Sequence, residues 1–394
     1  MEIKRSFVST LNTEKTVQRD DLFMLDLSTK IEQISIESGK RILVTSDIHG
    51  HLSYFKKVLK KASFGDDDIL FIVGDMIEKG PENLDTLRYV MELSENRNVI
   101  PLIGNVDAYR LKLIYGLSEE NVNSFYNYVL NLRQWTGTSF YEELATECGY
   151  TINNPEDILR SKKDVINHFE NEFNFLADLP TIVETQKYVF VHGGLRERKV
   201  SDNSGRTVLE LTKYDAFAEN TPYIFDKYVI VGHWPVVLYG SNIPQMNPII
   251  NRDKKIISID GGCGVKKDGQ INLLIIPDIN CSVDEFSHIS YDEIPTVCAL
   301  ESQSPSTESL YISWLNKEIR ILNKGEEFSY VEHLKSGRKL QIPNSHIRNE
   351  TECFDYTDYV LPVKKGDRLS IISRNSKGCI AKKDGVVGWY CGKF

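Results

Sequence analysis

No stretch of this sequence approaches the apolar length that a membrane span requires. An apolar h-region is missing as well: Met1 to Thr10 soon turns polar, so a signal peptide is not expected. Cysteine is sparse and shows no pairing pattern. The seven (Cys148, Cys263, Cys281, Cys298, Cys353, Cys379, Cys391) are odd in number and lack a Cys-x-x-Cys pair, which suits reduced thiols better than a disulfide framework. Positive charge is in deficit too. A net charge of −9 argues against nucleic-acid binding as the main business. These absences point to a cytoplasmic protein with no membrane partner. The hydrophobic and charged fractions, 41% and 26%, are those of an ordinary globular chain, and 394 residues allow two or three domains.

What is present is a series of short buried runs, each ending in a polar group. Ile42-Leu43-Val44 has the composition of a strand buried on both faces, and it stops at Asp47-Ile48-His49-Gly50. In extended chain, Asp47 and His49 project to one side and offer an oxygen and a nitrogen ligand to a divalent cation. Leu52, Phe55, Val58 and Leu59 then recur at helical spacing. A second strand, Ile69 to Val73, ends in Gly74-Asp75; the acids before it, Asp66 to Asp68, read as a solvated turn. A β-α-β unit makes these strands parallel, and ligands gather at the carboxyl ends of such strands.

The pattern continues. After a helix carrying Leu84, Leu87, Val90 and Met91, the run Val99 to Ile103 ends in Gly104-Asn105-Val106-Asp107. Residues 108–180 read as a helical, aromatic-rich insertion. Val189 to Val191 then leads into His192-Gly193-Gly194, and Tyr228 to Val231 into Gly232-His233. Segments 256–259 and 271–276 close the domain near residue 300. Five strand ends thus supply Asp47, His49, Asp75, Asn105, His192 and His233, enough for two metals sharing one carboxylate. Such pairs, ~3.5–4 Å apart, clamp the attacking and leaving oxygens of phosphoryl transfer. His168, His288, His333 and His346 fit no such pattern and read as structural.

In this order the motifs resemble the calcineurin-like metallophosphoesterases, in the branch of the serine/threonine phosphoprotein phosphatases and symmetrical diadenosine tetraphosphatases. The resemblance covers roughly 41–278 and includes Gly74-Asp75-Met-Ile-Glu78-Lys79-Gly80, Ile114-Tyr115-Gly116 and Phe175-Leu176-Ala-Asp-Leu179-Pro180. It implies an α/β fold in which two mixed β-sheets form a sandwich flanked by helices. It places Asp47, His49 and Asp75 on one metal and Asp75, Asn105, His192 and His233 on the other, with Asp75 bridging. It also implies a catalytic set of Asp75, Glu78, Lys79 and Asp107, and phosphate contacts from Lys79, Asn105 and Arg196. The cofactors would be two divalent ions, Mn2+ first, with Fe or Zn as alternatives. The activity implied is that of a phosphoprotein phosphatase-like phosphomonoesterase using a metal-bridging hydroxide. The alternatives are a symmetrical dinucleoside tetraphosphatase, a phosphodiesterase, or a non-catalytic binder of phosphorylated ligands.

Two departures bear on that activity. Glu78 replaces the Asp that usually orients a catalytic His, and Val106 occupies the place of that His. A general acid contributes ~10²–10⁴-fold by protonating the leaving oxygen. Without one, a serine alkoxide leaves poorly, whereas a phenol or an anhydride phosphate leaves more readily. His51 could substitute, although a solvated His at a helix start explains it better. Lys79, where Arg is usual, keeps the charge and loses the bidentate fork.

Residues 1–40 read as an extension packing on the domain 41–300, and 301–309 as a Ser-rich linker. Beyond, alternating residues between turn signals predict an all-β region. Its last forty residues resemble an SH3-type barrel through Phe354-Asp355-Tyr356, Leu361 to Leu369 and Gly385 to Tyr390. The usual groove is altered, with Cys379 where Trp is common, Cys391 where Pro is and Phe394 where Tyr is, which speaks against proline-rich ligands. A basic tail, with eight Lys/Arg against three Asp over 356–394, leaves a protein partner as an expectation.

Overall fold

The structure is a computed structural model that describes residues 5–7 and 27–394, apart from Arg97. These fall into two compact units. The first comprises the chain up to Trp234 with Pro248–Lys266 and Ile271–Tyr291; the second comprises Pro235–Asn247, Lys267–Gln270 and Asp292–Phe394. No helix of the described residues is long and apolar enough to cross a membrane.

The first unit is an α/β sandwich of two mixed sheets. In the five-stranded sheet, Ile42–Thr45, Ile69–Val73 and Val99–Leu102 run parallel, and Ile271–Ile276 and Ser287–Tyr291 join antiparallel on the other side. Val99–Leu102 is an edge strand, which is where Pro101 is tolerated, since proline cannot donate to a ladder. The seven-stranded sheet contains Ile31–Ile34 beside Ile182–Glu184, then Tyr188–Val191 and Tyr228–Val231 in parallel. The region read as an extension therefore contributes a strand.

Alternation along the strands sends Ile42, Val44, Phe71, Val73, Ile100 and Leu102 between the sheets, against Val183, Phe190, Ile230 and Ile257. Phe71 and Phe190 stack there with ring centroids 3.8 Å apart. Leu43, Leu70 and Ile72 face the other way, onto the helices. The helix Leu52–Lys61 buries Leu52, Phe55, Val58 and Leu59. Each such side chain contributes ~1.5–3 kcal/mol, so the strand ends project from a rigid base. Asp66 and Asp67 are solvated. Asp68 is not: Arg41 donates to both its carboxylate oxygens, at 2.8 and 2.7 Å, and buries it.

The second unit is all-β. It has a four-stranded antiparallel sheet (Thr296–Cys298, Arg368–Asn375, Gly378–Lys383, Val386–Tyr390), a three-stranded one (Ile319–Lys324, Phe328–His333, Lys339–Pro343) and the pair Tyr311–Ile312 with Tyr356–Thr357. Within the Ser-rich stretch, Gln303 is tied to the unit by mutual backbone bonds with Val363. Trp389 and Cys379 are both buried, and the Trp389 indole N–H donates to the Thr357 carbonyl at 2.8 Å.

Candidate metal centre

Beyond Thr45 and Val73 the two chains stay side by side. The N–H groups of Asp47, His49 and Gly50 donate to the carbonyls of Gly74, Asp75 and Met76 at 3.0, 3.0 and 2.8 Å. Here the local geometry differs from the extended chain inferred from sequence. Asp47, His49, Asp75, Glu78, Lys79 and His233 all adopt left-handed backbone, with φ between 48 and 66°. The described chain has ten non-glycine residues at positive φ, and six of them are in this one place. Each costs ~1–3 kcal/mol and persists only where its surroundings over-determine it. The concentration marks a functional site.

Glycines allow the loops to close on one another. A Cβ on Gly74 would lie 2.6 Å from the Gly104 Cα and 2.7 Å from His192 Nδ1, and one on Gly232 would lie 2.4 Å from Asp47 Oδ2. Within this space the six ligand-type side chains converge. Asp47, His49 and Asp75 each present one donor atom, all within 4.8 Å of one another. His49 Nε2 is 3.8 Å from Asp47 Oδ1 and 3.6 Å from Asp75 Oδ2. On the other side of Asp75, His192 Nε2 is 3.3 Å from Oδ1 and 3.1 Å from the Asn105 amide oxygen. The His233 ring centroid lies 5.5 Å from that of His192, and its backbone N–H donates to Asp47 Oδ2 at 3.0 Å. Asp75 thus stands between a His49–Asp47 side and an Asn105–His192 side.

The imidazoles are oriented from behind. His192 Nδ1 lies 2.7 Å from the Val73 carbonyl and His49 Nδ1 lies 3.2 Å from that of Ile77, so each turns Nε2 to the carboxylates. His233 is reversed: Asp215 holds its Nε2 at 2.8 Å, leaving Nδ1 for a ligand.

Burial of this much charge shifts the groups. Burial raises Asp47 to about 6, with Asp75 adding to it and His192 opposing. Burial and the neighbouring Asp47 carboxylate push Asp260 well above the carboxylate range. Burial would raise Asp75 too, but His192, His49 and Lys79 bring it down. Burial would lower His192, yet Asp75 and Asp47 lift it to about 10. Burial lowers His49 to about 3 and His233 to about 4, so both imidazoles are neutral donors at pH 7. Crowded buried carboxylates beside neutral imidazoles form an oxygen and nitrogen donor set suited to divalent cations.

Lys79 Nζ reaches His49 Nε2 at 3.1 Å. Asp107 is wholly buried and accepts the N–H groups of Asp75, Met76, Ile77 and Gly104 at 2.8, 3.0, 3.4 and 2.9 Å, clasping two loops together. Glu78 is turned into the helices, with Oε1 2.6 Å from Arg110 Nε. Arg196 donates to the carbonyls of Glu210 and Lys213 at 2.7 and 2.9 Å and lies 3.8 Å over Tyr214, so its guanidinium is engaged with residues outside the ligand set. Val106 brings no imidazole, and its N–H donates to Asp75 Oδ1 at 2.8 Å. His51 folds Nδ1 onto the His49 carbonyl at 2.7 Å.

Sequence reasoning missed Asp215, Asp260 and Arg110. Asp260 follows the strand Ile256–Ser258 and so carried the same strand-end signal. Asp215 and Arg110 carried none.

The family model described as calcineurin-like phosphoesterase matches residues 40–253, more than half of the chain. The symmetrical bis(5'-nucleosyl)-tetraphosphatase of Buchnera aphidicola subsp. Schizaphis graminum is 33% identical over 93 residues, 23% of this chain and 33% of that protein. Its counterpart in Vibrio parahaemolyticus serotype O3:K6 is 34% identical over 77 residues, 19% and 28% of the two chains. The matched segment therefore spans about a third of these relatives. Among solved structures, a protein serine/threonine phosphatase of Saccharomyces cerevisiae aligns with 70% of this chain and 87% of its own at 13% identity and a TM-score of 0.40. A cold-active protein-tyrosine phosphatase of a Shewanella species aligns over 67% and 82% at 16% identity and a TM-score of 0.36.

Proposed function

The chain belongs to the calcineurin-like phosphoesterase family, whose members hydrolyse phosphoester bonds, and we propose that it uses two divalent cations to hydrolyse phosphate compounds whose leaving group needs no acid. The observation that carries this reading is the contrast at one helix start. Asn105 faces His192 at 3.1 Å among the converging ligand-type side chains, while the next residue, Val106, supplies no acidic side chain.

Asp47, His49, Asp75, Asn105, His192 and His233 would hold the cations, Mn2+ first, with Fe and Zn suiting the same donors. Two such ions lower the pKa of coordinated water and offset charge on phosphoryl oxygens. The protein's part is positional. Asp107 fixes the loops that carry Asp75 and Asn105, Asp215 turns His233, and the Lys79 ammonium adds a further positive charge where the phosphoryl group binds. With no acid at Val106, phenols, as in aryl or tyrosine phosphates, and anhydride phosphates, as in dinucleoside tetraphosphates, are favoured over serine phosphates. The tetraphosphatase names of the curated relatives support the nucleotide side of this reading.

The same reading keeps an extension over 1–40, a phosphoesterase domain over 41–300 with its helical insertion, and a separate β region. A cytoplasmic setting is supported by seven cysteines, none of which is joined in a disulfide. The test is hydrolysis of 4-nitrophenyl phosphate and diadenosine tetraphosphate by Mn2+-loaded protein. Activity should vanish with chelator and fall by at least about a hundredfold in Asp75→Asn. Metal-independent turnover would end the proposal.

A further inference from the structure

Glu78 and Lys79 occupy consecutive left-handed positions, φ 66 and 64°, an arrangement that non-glycine residues adopt only under constraint. The constraint comes from the helical insertion. Glu78 is fully buried, and its Oε1 sits 2.6 Å from Nε of Arg110, itself 2% exposed on the helix Asn105–Tyr115. The guanidinium lies 4.3 Å over Tyr128 and 5.5 Å over Phe125 of the helix Val122–Thr136. Glu78 Oε2 accepts the N–H of Phe140, the first residue of the helix Phe140–Glu147. The far end of the loop is held by that same helix, because Glu143 accepts from Asn83 Nδ2 at 2.6 Å and from the Leu84 N–H at 2.7 Å. Asn83 in turn donates to the Gly80 carbonyl at 2.9 Å. Between these anchors, Lys79 is directed to His49.

We propose that Arg110 is a positioning residue: its pairing with Glu78 lets the helical insertion set the Glu78–Lys79 turn, and so aims the Lys79 ammonium at the phosphoryl group. The inference rests on the phosphoesterase reading above. A buried ion pair can also be purely structural, and removing one partner of such a pair is destabilising whatever its role. One feature points beyond stability: the loop that this pair holds carries Lys79, whose Nζ lies 3.1 Å from His49 Nε2 in the ligand cluster.

The experiment is a double-mutant cycle on the Mn2+-loaded full chain, reading kcat and KM on 4-nitrophenyl phosphate and the affinity for inorganic phosphate by calorimetry. Arg110→Met should weaken phosphate affinity and kcat/KM by on the order of tenfold to a hundredfold, as expected when a contact group is displaced by about 1 Å. It should change neither further in a Lys79→Ala background. Arg110→Lys should recover part of the loss. The charge-neutral pair Glu78→Gln with Arg110→Met leaves no lone buried charge and keeps the test valid if the single variant fails to fold. Equal losses with and without Lys79, or unchanged phosphate affinity in the folded variants, would overturn the inference. Wild-type protein that binds Mn2+ and phosphate but hydrolyses nothing would instead overturn the phosphoesterase reading, with the phosphate measurement still deciding the role of Arg110.

Discussion

Asp107 accepts the backbone N–H of Asp75 at 2.8 Å, although the two residues belong to different strand ends. The same carboxylate takes the Gly104 N–H at 2.9 Å, so one buried side chain registers both loops that deliver ligands. Asp107→Asn would turn an NH2 group toward N–H donors on one side. Mn2+ affinity should fall on the order of 10–100-fold, the usual effect of disturbing groups that orient ligands. Titration calorimetry checks this, and an Asn variant that binds metal like the wild type would show the clasp to be immaterial.

Asp215 gives a cleaner case, because it is half exposed and its contact with His233 Nε2 at 2.8 Å involves little else. Asp215→Ala should leave the melting temperature within about a degree and weaken binding of one of two Mn2+ ions by roughly tenfold or more. A stoichiometric metal titration separates the two sites. Loss of both together would mean that Asp215 supports the loop rather than the imidazole.

Much of this arrangement was legible in the chain because it rests on pattern. Ile69–Val73 and Tyr188–Val191 are apolar runs buried at every position, and each is followed by a polar group that the sheet must place at its edge. The helix Leu52–Lys61 was visible in the spacing of its four buried residues. The left-handed backbone at Asp47 and His49 was not, since Asp and His visit positive φ more often than most non-glycine residues but still do so in a small minority of positions. Arg110 was hidden for another reason. It pairs with Glu78 across 32 positions of sequence, and a buried ion pair has no local period.

Gly74 and Gly39 separate two effects that usually come together. Both have positive φ, 79 and 86°, but a Cβ on Gly39 meets nothing within 4 Å, whereas one on Gly74 meets Gly104 at 2.6 Å. Gly39→Ala should cost about 1–3 kcal/mol from backbone strain alone. Gly74→Ala should cost more than that and should also reduce Mn2+ affinity, because the displaced loop carries Asp75. Urea unfolding of the two variants gives the comparison. Equal losses would mean the loops can part without penalty.

Val106→His tests the chemistry most directly. The new imidazole would begin the helix Asn105–Tyr115, next to Asn105 and behind the Asp75 carboxylate that the residue 106 N–H already contacts at 2.8 Å. It could then protonate a departing alkoxide. Glu78, which stands where the orienting acid is expected, is held by Arg110, so the gain should sit near the lower end of the ~10²–10⁴-fold range. The gain should appear on alkyl phosphates, whose leaving oxygen is strongly basic, and be small on 4-nitrophenyl phosphate, whose phenolate departs unaided. Parallel kcat/KM measurements on both substrates decide the matter. An equal rise on both would show that the histidine acts on binding or on the metals, and that the absence of an acid at position 106 does not set the leaving-group preference.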